Sequence, residues 1–120
     1  MSDDVLIDVS RETMALLKQL RTLVEKWNKS INLISKSTVP DMWNRHIIDS
    51  AQIFYARKKS FKKWLDMGSG AGFPGLVVAI LAQDKNINGE IVLIESDRRK
   101  CAFLSTCLLY TSPSPRDRSS

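Results

Sequence analysis

The sequence predicts an α/β chain: a helical N-terminal extension followed by the opening βαβα part of a parallel sheet. Three observations predict it. Apolar residues recur every three or four positions between 10 and 33. A glycine-rich loop, Gly68 to Gly72, separates a short strand-like run from a helix-like one. The unbroken apolar run Ile91-Val92-Leu93-Ile94 then reads as a strand of a parallel sheet. Strand, glycine loop, helix, strand and helix in that order make a parallel βαβ unit.

The elements follow in order. Met14, Leu17, Leu20, Val24, Trp27 and Ile31 draw one stripe on a helix over 10–33. Ser10 caps its start, and Glu12 places negative charge in its first turn. Asn28 and Asn32 mark its fraying end. A second helix is expected from Thr38 to about Tyr55, with Pro40 in its first turn and Asp41 completing a capping-box analogue. Within it, Arg45 and Asp49 are spaced to pair. Trp27 and Trp43 read as core anchors. A basic linker, 57–63, ends the extension. Trp64–Met67 is the first strand, Pro74–Gln83 a helix with Leu76, Val77, Ile80 and Leu81 on its apolar face, and 84–89 a loop. Ile91–Ile94 is expected to be buried on both faces. Asp97 caps a last helix, 98 to about 106, where Cys101 is expected in the core.

The expected domains are therefore 1–60, the helical extension, and 61–106, the start of the sheet domain. Residues 107–120 depart from the pattern. The run from Cys107 to Asp117 matches the conceptual translation of a transposase-type sequencing adapter and reads as an artefact. A natural Ser/Pro-rich tail is the alternative.

Composition narrows the function classes. With 43% hydrophobic and 26% charged residues the chain has ordinary globular composition. It has no apolar run long enough to span a membrane, and its acidic start is unlike a secretory signal. Two cysteines six apart suit reduced cytosolic thiols better than a disulfide framework or a zinc site. The net charge of +5 gathers in Arg57, Lys58, Lys59, Lys62 and Lys63, and in Arg98, Arg99 and Lys100. Such clusters suit a polyanion such as RNA, but charge alone favours the plainer reading of a solvated loop and an exposed helix start. Lys58, Lys59, Lys62 and Lys63 are the candidate phosphate contacts.

The glycine loop carries the chemistry. Gly68 and Gly70 permit a tight reversal and close ligand approach. Backbone amides and the following helix start offer donors to a polar ligand. The dinucleotide fingerprint needs a third glycine for close packing around a pyrophosphate, and Phe73 stands there instead. S-adenosylmethionine has no pyrophosphate and fits this loop better. Asp66 precedes the loop where a carboxylate meets the cofactor's amino group, and Phe73 supplies an apolar wall. Glu95 ends the second strand, where a carboxylate accepts ribose hydroxyls. The cofactor candidates are thus Asp66, Gly68, Gly70, Phe73 and Glu95. No metal ligands and no catalytic residue are singled out. His46, the only histidine, reads as a packing and hydrogen-bonding residue, with RNA or active-site contact as the alternative.

Four segments resemble one family: Lys26-Trp27-Asn28-Lys29 with Asn32-Leu33; Arg45 to Ser50; Leu65 to Gly75; and Leu93 to Ser96 with Arg99 to Leu104. In order and spacing they are similar to the ribosomal RNA small subunit methyltransferase G family, also called glucose-inhibited division protein B. The resemblance implies a Rossmann-like S-adenosylmethionine-dependent methyltransferase, here an N-terminal fragment. It also implies a bacterial cytoplasmic enzyme acting on N7 of a guanine in 16S rRNA, free or in the small ribosomal subunit. The sequence leaves the oligomeric state open, with a monomer preferred. The family's cofactor contacts carry over to Gly68 and Phe73. With two strands of the family's sheet present, the chain is expected to aggregate or stay molten. The competing readings are an NAD-dependent oxidoreductase and a non-enzymatic RNA-binding module.

Overall fold

The computed structural model describes residues 8–57, 63–67 and 71–111. Helix α1 spans Arg11–Asn28. Ser10 caps it as expected, its Oγ accepting from the Thr13 amide at 3.1 Å. Its buried stripe is Thr13, Leu17, Leu20 and Val24. The helix stops before 33 because the Asn28 side chain turns on the following backbone. Its Oδ1 accepts from the amides of Leu33 at 2.7 Å and Ile34 at 2.9 Å. Asparagine competes for backbone donors in this way, so a helix ends at it readily.

The expected second helix is three pieces. A 3₁₀ turn, Val39–Asp41, leads to a π-helical segment, Trp43–Ile48, and then to α2, Asp49–Arg57. Thr38 makes no side-chain cap. Its hydroxyl lies 2.6 Å from Ser35 Oγ instead. Arg45 pairs not with Asp49 but backward with Asp41, at 3.4 Å. Side chains lean toward the helix N-terminus, which favours that reach. Both partners are exposed, so the pair adds little stability. Trp43 is buried, with the Arg21 guanidinium 5.1 Å above its ring. Trp27 is half-buried and meets Phe103 edge-on at 5.7 Å.

Strand β1, Lys63–Met67, and strand β2, Glu90–Ile94, pair in parallel from Lys63↔Glu90 to Met67↔Ile94. Between them runs α3, Gly75–Asp84, which packs on both strands and on α1 and α2. That sandwich buries Val78 and Ala82 as well as the four expected apolar residues. Helix α4 spans Arg98–Thr111 and is held at its start by Asp97, whose Oδ1 accepts from the amides of Arg99 at 2.9 Å and Lys100 at 3.2 Å.

Three further expectations need correction. Strand β2 is not buried on both faces. Ile91, Val92 and Leu93 are half-buried and Ile94 is 43% exposed, because helices cover only one side of these two strands. Cys101 is half-buried, and its thiol donates to the Glu95 carbonyl at 3.1 Å. Helix α4 does not stop near 106. It carries Cys107 into the core, where burial pushes the thiol up to about 12, and leaves Leu108, Leu109 and Tyr110 exposed.

One joint ties α1 to α3. Asp84 Oδ1 accepts from the Thr13 hydroxyl at 2.7 Å and the Ser10 amide at 3.1 Å. Burial opposes its ionisation, but these bonds and Lys85, 3.4 Å away, outweigh it and hold the carboxyl below its usual range.

Candidate cofactor site

The site forms at the carboxyl ends of the two parallel strands, where open α/β sheets bind ligands. Gly68 and Gly70, the first two glycines of the expected loop, lie outside the described residues, as do Lys58, Lys59 and Lys62. Gly72 has φ +89°, and a Cβ there would run into Leu76 and come within 3.3 Å of Leu104. Only glycine combines that backbone with that space. The Gly72 carbonyl accepts from the Leu76 amide at 2.6 Å, and the Pro74 carbonyl from the Val78 amide at 2.9 Å, so the turn runs directly into α3.

Gly75 explains a puzzle in the sequence. The third glycine of a dinucleotide loop serves close helix–strand packing, and Phe73 occupies that place. Here Gly75 does that packing two residues later. A Cβ on it would strike Leu93 and lie 2.6 Å from Asp66 Oδ2. The close approach lets Asp66, at the end of β1, accept the Gly75 amide at 2.9 Å. Asp66 therefore ties β1 to the first residue of α3, a role that the sequence pattern did not reveal. Its signal was the nine-residue spacing to a glycine just after Pro74.

Glu95 stands directly after β2, half-buried, with Oε2 accepting from the Asp97 amide at 3.0 Å. Phe73 is half-buried and stacked on His46, centroids 4.9 Å apart and planes 12° from parallel. Burial lowers the His46 pKa, the Asp49 carboxylate opposes that and Arg45 assists it. A ring kept neutral stacks on an apolar face without stranding a charge. The π-helical segment thus delivers His46 to the turn, in line with the packing role read from the sequence. Lys63 sits apart, exposed, 3.9 Å from Glu90 across the sheet. Among the described residues no cluster of ligands suits a metal ion.

Residues 13–110 match the family described as GidB, rRNA small subunit methyltransferase G. The chain belongs to this family. The match takes in α1, the π-helical segment, the glycine turn and both strands. Curated proteins named Ribosomal RNA small subunit methyltransferase G are similar to this chain. The protein of Cereibacter sphaeroides is 53% identical over 100 residues, 83% of this chain and 48% of that protein. That of Jannaschia sp. is 55% identical over 96 residues, 80% of this chain and 46% of the relative. That of Bartonella tribocorum is 50% identical over 105 residues, 88% and 48%. The chain thus spans about half the length of the methyltransferase G proteins it matches.

Proposed function

We propose that this chain carries the cofactor-binding opening of a Rossmann-like, S-adenosylmethionine-dependent methyltransferase that acts on N7 of a guanine in 16S rRNA. The observation that carries the reading is the turn Gly72-Phe73-Pro74-Gly75, inside a family match over 13–110. The residues fit the cofactor by their chemistry. An acidic group stands at the end of each strand, Asp66 and Glu95, and an aromatic face lies between β1 and α3. Bound S-adenosylmethionine supplies a methyl group made electrophilic by its sulfonium. This chain's part is to hold and orient. Glu95 would accept ribose hydroxyls. Asp66 keeps the turn closed through Gly75 and would face the cofactor's amino group. Phe73, backed by His46, forms an apolar wall. Guanine N7 already offers a lone pair, so alignment matters more than a general base.

The resident domain boundaries are proposed as 1–60 and 61–106, with 107–120 extraneous. Recovering the underlying read tests the last point: adapter sequence from codon 107 supports it, and genomic sequence there sinks it. Equilibrium dialysis against labelled S-adenosylmethionine and NAD tests the cofactor. Selective NAD binding would favour an oxidoreductase. Methyl incorporation into 16S rRNA from a strain lacking the modification tests the substrate, and cofactor binding with no incorporation by a full-length relative would favour a non-enzymatic RNA-binding module. We further place its work in the cytoplasm, on the small subunit or its RNA.

A further inference from the structure

We infer that a second, basic cleft beside the glycine turn binds the phosphate backbone of the RNA substrate, through Lys29, Lys36 and Arg99. The inference rests on the RNA reading above and deepens it. The cleft encloses about 440 Å³ between the end of α1, the loop that follows it and the first turn of α4. At ~30 Å³ per water it has room for much more than one hydrated ion. Its lining holds Lys29, Lys36 and Arg99 with the polar side chains of Asn28 and Asn32, and no carboxylate. Among the described residues none of the three cations is in an ion pair. Lys29, Lys36 and Arg99 are all exposed.

The sequence scatters these cations over seventy positions, and the fold gathers them. Trp27 packing on Phe103 draws the end of α1 to α4. Asn28, by binding the Leu33 and Ile34 amides, folds the loop back over the helix end. The Arg99 and Lys100 amides are already taken by Asp97, so the helix end is capped and the side chains are what a phosphate would meet. Cations in the first turn of a helix oppose its dipole, and α4 has three there, answered by the single Asp97 carboxylate at its cap. One carboxylate leaves positive charge in excess, which a polyanion would meet. Because the strands are parallel, α4 starts on the same rim as the Gly72–Gly75 turn. A strand of RNA held in the cleft would pass beside the cofactor turn.

The test is anisotropy of a fluorescein-labelled RNA hairpin titrated with the full chain over a range of salt. Each lost phosphate contact lowers the slope of log affinity against log salt by about 0.7–0.9. Lys29→Ala/Lys36→Ala/Arg99→Ala should lower it by about 2–3 and weaken low-salt binding at least tenfold. Lys29→Arg/Lys36→Arg/Arg99→Lys should restore both. Arg11→Ala/Lys18→Ala, in the first half of α1 and outside the cleft lining, should change the slope by less than one. An equal loss per charge in that control would overturn the cleft. In the unaltered chain, the hairpin should protect Lys29 and Lys36 from amine acylation and leave Lys18 reactive, which needs no variant to fold. Absence of protection overturns the inference. Displacement of RNA by inorganic phosphate far beyond chloride at matched ionic strength would mark a pocket for free phosphate and also overturn it. Dialysis with S-adenosylmethionine on the same samples separates the two readings. A chain that binds cofactor but no hairpin sinks the cleft alone, and one that binds no cofactor sinks the proposed function.

Discussion

The helical half and the sheet are built to different standards. In the helical half Leu17, Leu20, Val24, Met42, Ile47 and Phe54 are wholly buried. In the sheet Leu65 is 53% exposed and Ile94 nearly as open. The same residue types serve both, so composition does not explain the contrast. A helix needs one covered stripe, and α1 has it from α3, α4 and the π-helical segment. A parallel strand needs cover on both faces, and here helices give it on one.

Core truncation tests the contrast most severely. Leu20→Ala should cost about 3–5 kcal/mol. Leu65→Ala should cost under about 1 kcal/mol, because most of that side chain is already in water. Urea unfolding of both variants measures it, and equal costs would break the comparison. A parent with no cooperative transition would instead support the molten state expected from so short a sheet.

Part of this was legible in the sequence. The 3.6-residue stripe located α1 and its buried leucines, and Ser10 and Asp97 were readable as caps because each side chain binds amides two or three residues on. What was not legible depended on distant partners. Nothing local says that Asp84 will hold the start of α1, 71 positions away from Thr13. The same holds for Gly75, whose need for no Cβ comes from Leu93 and Asp66 on the strands. The glycine turn into α3 was expected at this place in the chain, but its closure by Asp66 through Gly75 needed the approach of β1 to α3.

The two joints between the halves give smaller effects. Asp84→Ala removes the acceptor shared by Ser10 and Thr13 and should cost about 1 kcal/mol, on the scale of a lost helix cap. Its urea midpoint should fall well short of the Leu20→Ala shift. A larger loss would mean that the halves depend on this joint more than on the core. The second joint is His46 on Phe73, and it responds to pH. The folded state disfavours the protonated ring, so the unfolded chain binds the proton more readily. Stability from this group is flat above the ordinary value of 6.5 and declines as pH falls from there through the lowered folded value. The decline should be a small one and should vanish in His46→Gln. A variant that keeps the full acid slope would assign it to other groups.

The π-helical segment sets a constraint on this chain's length. Six residues, Trp43–Ile48, wind more loosely than their neighbours. Such a turn acts as a phase shifter, since one extra residue in a helix rotates everything after it by about 100°. Ile47 and Ile48 face the core while His46, one step before, reaches the Phe73 ring. A regular α-helix could not keep α2 buried on its present side and deliver His46 to the glycine turn. Any single-residue deletion between 43 and 48 would therefore force a choice between the two, however conservative the residue removed.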